Sequence, residues 1–119
     1  MAAPNIVNVT SIVGKSACLA LTTTTDTLLA NAASSGYVYK INTLLVANIN
    51  GSASASVTIF LSKNGTDYKL AHTVFVPAQA SLVLITKDTS IYLEEGDSIK
   101  TLASANSYLH ATVSYERIN

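Results

Sequence analysis

The sequence predicts an all-β fold, an antiparallel two-sheet β-sandwich or jelly-roll-like domain of about eight strands. Three observations carry this expectation. Val, Ile and Thr together number 33 of the 119 residues, and β-branched side chains suit the pleated, half-buried surface of a strand. Apolar and polar residues alternate with period two, most clearly in Val57 to Leu61 and Leu109 to Tyr115. Turn-forming residues divide such runs at intervals of roughly 8–12 residues, the spacing of a sandwich or small barrel. The length fits one domain over residues 1–119, with residues 1–5 as an N-terminal arm.

The elements follow in order. Asn5 to Val13 is the first expected strand, and Gly14-Lys15 the turn after it. Ser16 to Thr23 is the second, with Cys18 alternating against Leu19 and Leu21. Thr27 to Ala33, with Asp26 as N-cap, is the best helical candidate, about two turns long. Tyr37 to Ile49 is the longest run. Tyr37, Tyr39, Ile41, Thr43 and Leu45 share one face, expected to be buried, and the face of Val38, Lys40 and Asn42 turns apolar at Leu44 and Val46. Asn64-Gly65 between Val57 to Leu61 and Tyr68 to Val76 is the strongest hairpin signal in the chain. Tyr68, Leu70, His72, Val74 and Val76 should share a face of the return strand. Leu82 to Ile85 is apolar throughout, as in a strand covered on both sides. Short strands at Ile91 to Leu93 and Ile99 to Ala103 flank the turn Glu94-Glu95-Gly96-Asp97. After a turn at Asn106-Ser107, Tyr108 to Ile118 points Leu109, Ala111, Val113 and Tyr115 inward and His110, Thr112, Ser114 and Glu116 outward.

Composition narrows the function. Seven basic residues balance seven acidic ones, and only 12% of the chain is charged. This argues against nucleic acid bound through a basic surface. The first residues carry no basic segment followed by an apolar stretch, so synthesis in the cytoplasm is expected. The longest apolar runs, Leu82 to Ile85 and Leu44 to Ala47, are far short of a membrane helix, and no membrane partner is expected. A single Cys precludes an intrachain disulfide framework.

No residue is assigned a catalytic, cofactor-binding or metal-ligating role. Gly14-Lys15-Ser16 has the end of a phosphate-binding loop, but the first glycine of that motif would fall on Val9. Cys18 reads as a buried, inert thiol. His72 and His110 could meet across strands, yet two ligands make a poor zinc site. Glu94, Glu95 and Asp97 are the one acidic cluster. Their spacing matches no Ca²⁺ loop, and they are too close in sequence to face each other across a sugar. Asn8, Asn50 and Asn64 each open an Asn-x-Ser/Thr triplet, frequent by chance in such a composition. Tyr37, Tyr39 and Tyr115 fall on faces expected to be buried, as core aromatics.

Four stretches share a texture with known proteins: Leu19 to Leu29 (LALTTTTDTLL), Tyr39 to Asn48 (YKINTLLVAN), Ser90 to Asp97 (SIYLEEGD) and Val113 to Ile118 (VSYERI). On these the chain resembles small structural proteins of tailed-phage virions, in cyanobacterial and marine phages, across most of its length. The resemblance implies a capsid decoration, or cement, protein: a compact β-domain, often trimeric, bound to the outside of the shell. Its implied partners are the major capsid protein and further copies of itself. No residue-level role comes with it. A tail, neck or fibre component, or a carbohydrate-binding β-sandwich, are the alternatives. The apolar faces around Leu44, Val46, Leu82 and Leu84 exceed what one sandwich of this size needs, and surplus apolar surface is buried by partners.

Overall fold

The structure is a computed structural model and describes residues 11–119. Among these residues nine strands form two antiparallel sheets: β1 (Ile12–Ala20), β2 (Asp26–Ala30), β3 (Val38–Asn48), β4 (Ala55–Lys63), β5 (Thr66–Val76), β6 (Ser81–Ile85), β7 (Ile91–Leu93), β8 (Ser98–Ala103) and β9 (Leu109–Ile118). One sheet has the order β1-β9-β3-β6, with β7 also paired to β3, and the other has the order β2-β8-β4-β5. β6 lies along Leu44 to Ala47 of β3 and β7 along Tyr39 to Ile41, so the two share one sheet position. A single 3₁₀ turn, Lys87–Thr89, separates them. Nine strands therefore fill eight positions, and the chain changes sheet at every step except β4 to β5 and β6 to β7. This is jelly-roll connectivity.

The core lies between the sheets. Leu21, Ile41, Leu44, Val57, Ile99 and Val113 are completely buried there. β9 points Leu109, Ala111, Val113 and Tyr115 inward, as its alternation predicts. The β4–β5 hairpin also matches its signal: Asn64 and Gly65 have φ of 54° and 80°, and Lys63 pairs with Thr66. Two positive φ angles make the type I′ turn that follows the strand twist.

Several expectations fail for identifiable reasons. Gly14-Lys15 is no turn; it lies inside β1, which runs unbroken beside β9 from Ile12 to Ala20. The expected strand from Asn5 lies mostly outside the described residues, as does the expected arm. Thr27 to Ala33 is no helix. Leu28 and Leu29 both enter the core because β2 is bulged between Thr27 and Leu29 in its pairing with β8. Asp26, expected to cap a helix, instead accepts a hydrogen bond from Thr22 Oγ1 at 2.6 Å.

β3 is bulged between Ile41 and Thr43. The extra residue moves the buried face from Ile41 to Leu44 and Val46, which the sequence places on opposite faces. Leu44 and Val46 are thus core, and Leu82 and Leu84 pack against it half-buried, so none of the four is surplus. β6 is covered on one side only, since Val83 is 54% exposed. In β5, two register shifts against β4 break the expected face, leaving Ala71 and Val76 buried but Tyr68, Leu70 and His72 exposed.

Candidate interaction surfaces

The acidic cluster singled out by the sequence has a structural task. Asp97 is buried at 3% exposure. Its Oδ2 accepts from the Glu94 backbone N–H at 3.0 Å and from Lys63 Nζ at 2.9 Å. Lys63 Nζ also bonds the Glu94 carboxylate. These contacts hold the Lys63 ammonium above its ordinary pKa of 10.5, chiefly through the Glu94 and then the Asp97 hydrogen bond. Glu95 accepts from the Gly36 backbone N–H at 2.9 Å. The acidic turn thus clamps β4 of one sheet to the β7–β8 connection and the β2–β3 loop. Among the described residues, no three His, Cys, Asp or Glu side chains gather where they could hold a metal ion.

His72 on β5 and His110 on β9 belong to different sheets, so the structure does not bring them together. Both are exposed. Cys18 is exposed rather than buried, and Thr112 Oγ1 donates to its Sγ at 3.6 Å. It borders a shallow depression of about 310 Å³ with Leu19, Ala20, His110 and Thr112. His110 shares the depression but makes no hydrogen bond to the thiol among the described residues, so no base–nucleophile pair is formed. Tyr115 is buried, and burial raises its phenol pKa. Tyr39 and Tyr37 are half-buried. The rings of Tyr39 and Tyr115 lie 5.1 Å apart, and the Arg117 guanidinium sits 4.6 Å from the Tyr37 ring centre. Both are packing contacts.

Sequence reasoning missed two buried asparagines. Asn31 Nδ2 donates to Tyr37 O and Leu93 O, and its Oδ1 accepts from Ser35 Oγ. Asn48 Nδ2 donates to Ala53 O and Val76 O, and its Oδ1 accepts from the Asn50 N–H. Each ties loops from both sheets together where the chain crosses over. Only their place next to Gly, Ser and Ala-rich loops hinted at such a role.

The remaining features are surface. Phe75 is 71% exposed and Tyr68 57%, both on β5. Ile12, Val13, Ile49, Leu70, Val83 and Tyr92 are the other exposed large apolar side chains among the described residues. The four sheet edges differ. β2 has five residues and a bulge, and β6 and β7 have five and three residues with the 3₁₀ turn between them. β5 is long but twice bulged, and Thr73 adopts φ of 51° while its N–H bonds Thr58 Oγ1. Short length and bulges are devices that stop an edge from recruiting another strand. β1 has neither, with nine residues in unbroken register.

Comparison with known proteins adds the fold and little more. No family model matches the chain, and neither does any curated protein. Among solved structures, it is similar to a protein of Bacillus endospore appendages, which form a family of disulfide-linked pili. The TM-score is 0.52 at 16% identity, over 92% of this chain and 88% of that one. A pentameric capsid protein from metagenomic phage sequences matches with a TM-score of 0.41 at 15% identity, over 87% of this chain and 60% of that one. At such identity, the likeness to the endospore-appendage protein shows a shared β-sandwich fold.

Proposed function

We propose that this chain is a non-enzymatic structural subunit of a phage virion, a decoration protein that binds the outer capsid surface and stabilises the shell. The observation that carries the reading is the surface. It combines 12% charged residues overall with large apolar side chains such as Phe75 and Tyr68 left in solvent. Such a surface suits packed, weakly charged protein contacts. The resemblance in sequence texture supplies the virion setting and the major capsid protein as partner. The jelly roll is a fold that shell proteins use, among other functions.

A decoration protein acts through linkage. It binds the assembled shell and not free subunits, so it shifts the equilibrium toward the shell. Several footprints on one oligomer multiply through effective concentration, so modest contacts per copy suffice. The resemblance implies three copies; the geometry of the β1 edge argues for pairs. The test is a virion lacking the protein. Shells should assemble but release DNA at a lower temperature, and purified protein added back should restore them. Equal robustness of the two shells, with the protein located on the tail by labelled microscopy, would move a tail, neck or fibre role ahead. Selective binding on a glycan array would favour the carbohydrate reading.

A further inference from the structure

We infer that β1 is a self-association edge: two copies pair their β1 strands antiparallel about a two-fold axis and join two sheets into one.

The inference goes beyond shell binding and starts from hydrogen bonds. Ser11 N donates to Asn119 O and Asn119 N to Ser11 O, at 3.2 and 2.9 Å. Ten residues on, Leu21 N donates to Leu109 O at 2.9 Å. The register between these points is unbroken. In an antiparallel strand alternate residues bond opposite sides, so the odd-numbered residues of β1 serve β9. The N–H and C=O groups of Ile12, Gly14, Ser16, Cys18 and Ala20 therefore project from the free edge. Among the described residues no strand lies on that side of β1. The edge has no bulge and no proline, and Lys15 is its single charge.

The occupant follows from the edge itself. Two-fold pairing centred on Ser16 uses all nine residues. It sets Ile12 opposite the second copy's Ala20, Gly14 opposite Cys18, and Ser16 opposite Ser16. On the other face, Val13 meets Leu19 and Lys15 meets Ala17. Each larger side chain meets a smaller or apolar one. No charge lies directly opposite a like charge, whereas a slip by one step of two residues toward the N-terminus would set Lys15 against Lys15. Exposed Ile12 and Val13, at 54% and 39%, gain cross-strand neighbours. Gly14 fits the same account. A Cβ there would meet nothing within 4 Å, and its φ is not in the left-handed region, so nothing among the described residues requires glycine. Strand glycine often marks close approach of another backbone.

Three variants test the pairing, read by sedimentation equilibrium and non-reducing gels. The wild-type chain should sediment as a concentration-dependent dimer. Ser16→Pro removes an N–H that bonds nothing among the described residues, so it should stay folded and weaken the dimer at least about tenfold. Gly14→Cys should cross-link to Cys18 of the second copy under oxidised glutathione, because a hydrogen-bonded antiparallel pair holds its Cα atoms about 5.5 Å apart. Wild-type Cys18 should not cross-link, since the register keeps the two Cys18 residues apart. Deleting residues 1–10 should leave the dimer intact. A wild-type monomer at all concentrations, a trimer indifferent to Ser16→Pro, absence of the Gly14→Cys cross-link, or a dimer lost with residues 1–10 would each overturn the inference. None of these readouts involves a shell, so their failure is distinct from failure of the decoration reading.

Discussion

Asp97 shows how one side chain can hold a fold that its neighbours in sequence do not explain. The turn Glu94 to Asp97 was legible, because Glu, Gly and Asp are ordinary turn residues. The partner was not, since Lys63 lies 34 residues away and meets Asp97 only when β4 pairs with β8, Ser62 opposite Ser98. Asp97→Ala should destabilise the protein by about 1–3 kcal/mol, since it removes a buried carboxylate that both the Glu94 N–H and Lys63 donate to; urea unfolding would measure it. Lys63 and Tyr115 both have raised pKa values, the first through its carboxylate hydrogen bonds and the second through burial. Each binds its proton more tightly folded than unfolded. Their contribution is complete below the ordinary values of 10.5 and 10.0 and is lost as pH rises through the folded ones. The melting temperature should thus decline from about pH 10 upward, and less steeply in Tyr115→Phe. A decline of equal slope in that variant would exclude the tyrosine as a source. Cys18 is the counter-case. Its alternation with Leu19 was real, but whether the opposite face is covered depends on what lies over the sheet, which local pattern does not contain.

Among elements, legibility tracked locality. The β4–β5 hairpin and β9 were readable because a two-residue turn and a strict alternation are local. The bulges of β2, β3 and β5 were not, because a bulge exists only relative to a partner strand. That is also why Leu28-Leu29 suggested a helix: two adjacent buried leucines fit a helix face or a bulged strand equally. Two glycines separate the local from the tertiary. Gly65 has φ of 80° and open space where a Cβ would lie, so Gly65→Val is penalised by backbone strain alone. The cost should be about 1–2 kcal/mol. Gly14, also in open space but in ordinary strand conformation, should accept Val with no loss or a gain of about 0.5 kcal/mol. Thermal melts at low protein concentration, where association does not contribute, would compare the two. An equal cost at both sites would mean that β1 is under a constraint within the chain.

For the whole molecule, the decisive contrast is between a closely packed interior and the large apolar side chains left in solvent. The two sheets close over Leu44, Val57 and Val113, while Phe75 on β5 stays 71% exposed. Burial and exposure separate stability from binding. Leu44→Ala should cost about 2–5 kcal/mol through the cavity it leaves. Phe75→Ser removes side-chain atoms that touch water, and surface changes of this kind stay within about 0.5 kcal/mol. If β5 is the face laid on the shell, Phe75→Ser should leave the melting temperature of the free protein unchanged yet lose much of its protection of heated shells. Aromatic side chains at the centre of an interface are frequent sources of binding energy. The same contacts should respond weakly to salt, since no net charge has to be matched. Protection that survives Phe75→Ser but collapses between low and high salt would place the footprint on the Lys69, Lys100 and Asp67 surface of that sheet instead, where Lys100 already pairs with Asp67 at 3.4 Å.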